Sequence, residues 1–133
     1  MAKSFKIQMN PTFQSAVKIP RVGADPLSVT FTFKVLDRKS LARVFDAWKK
    51  ENIELIEAAT AADENKTPFT LEEWADRELV LQIKQIKDVV IGWGFDDEFN
   101  DENIEALLNS SISVTDAILE QYNEGYTRAR QGN

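Results

Sequence analysis

The chain has 133 residues, of which 43% are hydrophobic, carries a formal net charge of −6, and contains neither cysteine nor histidine. This length suffices for one domain with its own core. The absence of cysteine and histidine excludes disulfide frameworks, the usual zinc sites, and nucleophilic catalysis by Ser–His or Cys–His pairs. We therefore expect one non-enzymatic domain spanning residues 1–133, without a metal ion or other cofactor.

The charge is unevenly divided along the chain. Residues 1–50 contain ten Lys and Arg against three Asp and Glu, whereas residues 51–133 contain six against nineteen. The two unlike halves either neutralise each other within one molecule or attract other copies head to tail. The net acidity disfavours nucleic acid as a partner, and no apolar run is long enough for a signal peptide or a membrane span. We therefore expect a cytoplasmic protein without nucleic-acid or membrane contacts.

Two segments near the N-terminus alternate apolar and polar residues, as half-buried strands do. One face of each segment is formed by alternate residues, namely Phe13, Ser15, Val17 and Ile19 in the first and Val29, Phe31, Phe33 and Val35 in the second. The connecting residues 20–26 contain proline, glycine and aspartate and predict an antiparallel hairpin with a long loop. Residues 4–9 predict a third strand, which Pro11 ends.

The apolar period changes from two to about 3.6 after Leu36. Asp37 is placed to cap a helix, and Asn52 predicts an interruption within it. The first apolar stripe of this helix consists of Leu41, Val44, Phe45 and Trp48. Residues 62–69 are mostly polar, contain Pro68, and predict a loop.

The next helix has the clearest start in the chain, because Thr70 and Glu73 form the pattern of a capping box. It is predicted to run to Ile91 with apolar residues on more than one side, which is typical of a central helix with two neighbours. Asn100 and Ser113 predict the starts of two further helices.

Together these elements predict an α+β domain. Residues 1–36 form an antiparallel β-hairpin region of two or three strands, and residues 37–128 form a bundle of four to five helices. Basic residues interleaved with Phe13 and Phe31 would also be compatible with binding single-stranded nucleic acid, but strand alternation directs both rings towards the core.

An acidic cluster is the strongest candidate for metal binding or carboxylate chemistry: Asp96, Asp97, Glu98, Asp101, Glu102 and Glu105. In an EF-hand loop counted from Asp96, the sixth position would be Asp101 rather than glycine, and the twelfth would be Leu107 rather than glutamate. We interpret the cluster as the solvated, negatively charged start of a helix capped by Asn100. Paired carboxylates without a second chemical group do not predict hydrolysis.

Aromatic residues close to this cluster are the candidates for binding a protein partner. Trp93, Phe95 and Phe99 lie in a short irregular segment that a small fold does not fully cover. Tyr122 and Tyr126 lie one helical turn apart and could flank the same groove. The alternative interpretation is that these rings belong to the core or to its rim.

Three segments together resemble the tail assembly chaperones of long-tailed bacteriophages and prophages: NPTFQSAVKIPRVGADPLSVTFTFK, GWGFDDEFNDENIEALL and AILEQYNEGYTRARQGN. The resemblance implies a small protein of the bacterial host cytoplasm that binds the tape measure protein and keeps its long helices soluble. It also implies a homo-oligomer in the form of a ring or spiral. The alternative function is a small structural virion or tail-adaptor protein that stays in the particle.

Overall fold

The structure is a computed structural model that describes the backbone of residues 12–130 and the side chains of residues 12–127. Within this range the elements, in chain order, are β1 (Thr12–Arg21), β2 (Ala24–Lys34), α1 (Arg38–Glu64), α2 (Leu71–Val89), β3 (Val90–Trp93), α3 (Asp101–Asn109) and α4 (Val114–Arg130). The predicted α+β class is confirmed, with a three-stranded antiparallel sheet and four helices.

The hairpin of β1 and β2 is tighter than the sequence predicts. The two strands are joined by a two-residue turn at Val22 and Gly23, and Gly23 has a φ of +77°, which glycine adopts readily because it lacks a Cβ atom. The long loop predicted for residues 20–26 is therefore wrong. Both prolines of this range lie within the strands, beside a shift in pairing between Ile19 and Arg21 where the ladder of hydrogen bonds is already interrupted.

The third strand of the sheet is β3, which pairs with the free side of β2 although it follows α2 in the chain. Trp93 lies opposite Phe31 and Val90 lies opposite Phe33, with a register shift between these pairs. The strand predicted for residues 4–9 lies outside the described residues. The order of strands across the sheet is β1-β2-β3, so the hairpin and β3 share one central strand.

The helix predicted to run to Ile91 ends two residues earlier, at Val89. Val90 already has the extended backbone angles φ −110° and ψ 137°. The β-branched residues at this point pack well in a strand, so pairing with β2 overrides the helical period.

α1 is one continuous helix of 27 residues. Asp37 caps it as predicted, because its carboxylate accepts a hydrogen bond from the backbone N–H of Ser40 at 2.8 Å, and the bonds from Ser40 also lower the pKa of the Asp37 carboxyl. The interruption predicted at Asn52 is wrong. The loop predicted for residues 62–69 is present but begins three residues later, because the helix continues to Glu64. Asn52 is solvent-exposed, and its modest helix propensity is outweighed by the favourable residues around it.

α1 and α2 lie side by side as an antiparallel helical hairpin. The less exposed residues of α1 include a series at spacings of three and four: Leu41, Val44, Trp48, Glu51, Leu55, Ala58 and Ala62. Trp48 Nε1 donates a hydrogen bond to Asp88 Oδ2 at 2.7 Å, and Lys84 Nζ lies 2.7 Å from Glu51 Oε1. Leu55 is the one residue of α1 that is buried, so this helix is held along one side and exposes the others.

The predicted caps of α2 and α3 are confirmed. Thr70 Oγ1 accepts a hydrogen bond from the backbone N–H of Glu73 at 3.1 Å, and Asn100 Oδ1 accepts one from Asn103 at 2.9 Å. Each cap satisfies an N–H that the first helical turn leaves without a partner. α4 begins directly after Ser113, as predicted.

The core lies between one face of the sheet and the helices α2, α3 and α4. Its buried side chains are Val17, Ile19, Val29, Phe31, Phe33, Ile86, Val89, Val90, Ile104, Leu108, Val114, Ile118 and Tyr122. In the strands these are alternate residues, as the sequence pattern predicts. α4 covers β1, and α2 contacts both the sheet and the neighbouring helices.

Candidate protein-binding surfaces

The segment between β3 and α3 brings three of the predicted partner-binding residues together, and we call it the aromatic corner. The ring of Trp93 stands edge-on to Phe95 and to Phe99, with centroid distances of 5.1 Å and 5.0 Å. Trp93 Nε1 donates a hydrogen bond to the backbone oxygen of Asp97 at 2.8 Å, which closes the turn. All three rings are partly buried and pack against the core.

A shallow cleft of about 310 Å³ opens beside the aromatic corner. It is lined by Trp93, Phe95, Asp97, Asn103, Ala106, Leu107 and Ser110. The side chain of Asn103 is engaged within the chain, since its Nδ2 donates to the backbone oxygen of Glu98 at 2.8 Å. The cleft is therefore mainly an apolar surface, of a size that accepts one side chain of a partner.

The two tyrosines lie at the far end of a row of rings that starts at the aromatic corner. The row passes through Phe31 and Phe33 to Tyr122 and Tyr126, with centroid distances from 5.5 to 6.1 Å. Tyr122 is 1% exposed, so the core interpretation applies to it and its side chain offers no surface to a partner. Tyr126 is partly buried, and its hydroxyl donates to the backbone oxygen of Leu36 at 2.8 Å.

The hydroxyl of Tyr122 is buried without a hydrogen-bond partner among the described residues. Burial, with a smaller contribution from Tyr126, raises the pKa of Tyr122 to about 12. The folded chain therefore holds this proton more tightly than the unfolded chain. The resulting contribution to stability is fully present below pH 10 and is lost as the pH rises from about 10 to about 12.

We predict that Tyr122→Phe raises the free energy of unfolding by about 1 kcal/mol near neutral pH, because an unpaired buried hydroxyl is unfavourable by roughly 1–3 kcal/mol. The variant also lacks the alkaline loss of stability, so its advantage over the wild type should grow between pH 8 and pH 11. Urea titrations of both proteins at the two pH values measure this. A difference in the free energy of unfolding that is the same at pH 8 and pH 11 would contradict the raised pKa of Tyr122.

A second candidate surface, which the sequence analysis did not predict, is a groove between α1, α2 and the start of α4. We call it the three-helix groove. Its volume is about 480 Å³. Its apolar lining consists of Trp48, Leu55, Ile56, Trp74, Leu81 and Leu119. The apolar stripe predicted for α1 includes Trp48, but nothing in the stripe indicates that the neighbouring helices leave a space beside it.

Polar contacts join the helices that form the walls of the three-helix groove. The indole of Trp48 is bonded to Asp88 of α2, and the hydroxyl of Thr115 in α4 donates to Gln82 Oε1 at 2.9 Å. At the outer edge, Ile56 is 56% exposed although it is apolar. A groove with apolar and polar lining residues in equal number and an exposed isoleucine at its edge is compatible with binding an amphipathic helix.

The acidic cluster does not form a metal site in the part of the chain that the structure describes, where no group of three or more potential ligands converges. Asp101 instead lies 2.7 Å from Lys87 Nζ, and both side chains are largely exposed. None of the described helices is long and apolar enough to cross a membrane. The three-helix groove and the aromatic corner are the candidate surfaces for binding a protein partner.

Comparison with known proteins identifies the family of the chain. The model of a family described as phage tail assembly chaperone matches residues 1–133. No curated protein and no solved structure matches the sequence significantly. The match covers all three segments that carried the resemblance in the sequence. The chain therefore belongs to the phage tail assembly chaperone family.

Proposed function

We propose that this chain is a non-enzymatic chaperone that binds the tape measure protein and keeps its helices soluble in the host cytoplasm during tail assembly. Membership of the family supports a role in tail assembly and a protein partner. The observation that supports a helical partner is the three-helix groove, whose apolar lining matches the apolar face of an amphipathic helix.

The charges around the three-helix groove favour one kind of client helix. Glu78 and Asp116 lie among its lining residues, and no lysine or arginine does so within the described range. A client helix with an apolar face and basic flanks would therefore gain both apolar contact and charge complementarity. The aromatic corner is a second, smaller contact on the same chain.

Binding by each copy should be weak enough for release as the tail is built. A long client presents many similar helices, so several weak contacts along one client give strong overall retention without slow release of each copy. We further propose that copies associate head to tail, as a ring or spiral. This is supported by the division between a basic first 50 residues and an acidic remainder.

The groove assignment is tested with Ile56→Asn during co-expression with the tape measure protein. We predict about tenfold weaker client binding, because loss of the apolar contact at this edge is worth about 1.4 kcal/mol or more. The readouts are the soluble fraction of the client after centrifugation and the dissociation constant for a client-derived helical peptide.

Two matched variants locate the effect. Ile112→Asn makes the same change at a residue that is 95% exposed and lies outside the groove, so client binding should be unchanged. Ala106→Gln enlarges a side chain in the cleft beside the aromatic corner. A loss with Ala106→Gln alone would assign binding to the corner instead of the groove. A client that is equally soluble without the chain would overturn the proposed function.

A further inference from the structure

We propose that α1 pairs with α1 of a second copy in an antiparallel, twofold-symmetric contact. The contact uses the side of α1 that is turned away from α2. We call this side the outer face of α1 and define it by Arg43, Lys50, Ile53, Glu57 and Glu64. All five side chains are exposed.

The four charged residues of the outer face form one line along the helix. Arg43, Lys50, Glu57 and Glu64 follow one another at intervals of seven residues, which is close to two helical turns. The line therefore reads positive, positive, negative, negative. No ion pair among the described side chains involves any of the four, although the charge of Arg43 also acts weakly on the Asp37 carboxyl at the start of the helix. The exposed charges of this line can therefore still attract another molecule.

This order of charges selects the orientation of the partner helix. A parallel copy would bring positive charges against positive and negative against negative. In an antiparallel copy with the twofold axis beside Ile53, Lys50 lies level with Glu57 of the second copy. Arg43 then lies level with Glu64, and symmetry produces each pair twice. Charges that flank the seam of paired helices determine partner and orientation in this way.

The centre of the outer face supplies an apolar contact. Ile53 is 43% exposed and would meet its own copy next to the twofold axis. It lies in a shallow depression of about 400 Å³ whose other lining residues are Asp46, Lys49, Lys50, Glu54 and Glu57. An exposed isoleucine surrounded by both signs of charge is a small apolar centre with a polar rim.

The order of charges along α1 is unfavourable for the isolated helix. This supports a role for these charges in contact with another molecule. The first turn contains no acidic residue and the last turn no basic residue. The helix dipole favours the opposite arrangement, with negative charges near the start and positive charges near the end. Pairing with an antiparallel copy places each adverse charge next to its complement and also opposes the two helix dipoles.

The proposed pair leaves the three-helix groove free. Trp48 and Leu55 line the groove, and they precede Lys50 and Glu57, respectively, by two positions. Two positions correspond to about 200° around the helix, so the groove and the outer face lie on opposite sides of α1. The contact is also distinct from head-to-tail association, because a twofold contact closes at two copies. It can therefore be tested separately from client binding.

Charge reversal on the full chain tests the pair by sedimentation velocity at low salt. We expect the wild type to form twofold dimers, alone or as units of larger head-to-tail assemblies. Dimerisation should be at least tenfold weaker for R43E/K50E, whose charged line is wholly negative. The quadruple variant R43E/K50E/E57K/E64K inverts every charge and should dimerise within about threefold of the wild type, because an antiparallel pair is again complementary. A wild type that stays monomeric, or a quadruple variant as weak as the double one, would overturn the proposal.

Cross-linking tests the position of the twofold axis. The chain contains no cysteine, so Ile53→Cys introduces a single thiol. We expect a short bismaleimide to join two copies at this position at least tenfold faster than at Val22→Cys, where the replaced residue is 88% exposed in the hairpin turn. Equal rates would contradict the contact.

The client solubility assay on R43E/K50E separates this inference from the proposed function. We expect normal client solubility together with loss of the dimer, which supports a pairing face independent of the groove. Loss of both activities in a variant with an unchanged circular dichroism spectrum would instead show that the outer face contacts the client, and would overturn its assignment to a second copy.

Discussion

Phe31→Ala is expected to lower the free energy of unfolding by about 3–5 kcal/mol, the usual range for removal of a buried phenylalanine ring. Phe31 is 0% exposed in the central strand β2. Its ring lies 6.0 to 6.3 Å from those of Phe33, Trp93 and Phe95, so truncation opens a cavity between the core and the aromatic corner. A loss of this size is a large part of the roughly 5–15 kcal/mol that stabilises a typical domain.

Thr30→Ala is the matched control for this prediction. Thr30 precedes Phe31 in the same strand, but its side chain lies on the exposed face of the sheet. The expected loss is below about 1 kcal/mol, because only strand propensity changes. Urea denaturation of the two variants measures the difference. Similar losses for both would mean that the core does not lie on the face of the sheet assigned here.

Gly125→Ala is expected to lower the free energy of unfolding by up to about 2 kcal/mol, although alanine is normally favoured over glycine within a helix by about 1 kcal/mol. A Cβ atom at this position would lie 2.6 Å from Cε2 of Phe13. The ring of Phe13 is stacked against Phe33 and Tyr122 at centroid distances of 5.3 Å and 5.9 Å, so it cannot easily move aside. Overpacking of this kind is unfavourable by about 1–3 kcal/mol.

Two further variants isolate the contact between α4 and β1. Asn123→Ala changes an exposed residue of the same helix and should leave stability equal or slightly higher. Phe13→Leu combined with Gly125→Ala should lose less than the sum of the single variants, because the smaller side chain makes room for the methyl group. A stabilising Gly125→Ala would indicate a greater distance between helix and strand.

Part of the binding surface could be predicted from sequence. Trp93, Phe95 and Phe99 follow closely in the chain after an apolar run, and short-range geometry is enough to bring them into one corner. Tyr122 could not be placed correctly, because a tyrosine at the edge of a helical stripe is compatible with either core or rim. Its burial depends on Phe13, which lies more than a hundred residues earlier in the chain.

The three-helix groove could not be predicted, for a related reason. Its walls depend on contacts such as that between Trp48 and Asp88, which are 40 residues apart, and between Thr115 and Gln82. Periodicity shows which side of a helix is apolar. It does not show whether the neighbouring helices close over that side or leave it open to a partner.

Local sequence alone was sufficient to predict which faces of β1 and β2 are buried and that the fold is α+β. It was also sufficient to predict the helix caps at Asp37, Thr70 and Asn100. In each case the deciding interactions join residues a few positions apart, so composition and spacing contain the necessary information. Only the tertiary structure decided that α2 ends at Val89 and that β3 completes the sheet. The same residues could have continued the helix, and pairing with a distant strand, through hydrogen bonds and apolar burial, made the extended form more favourable.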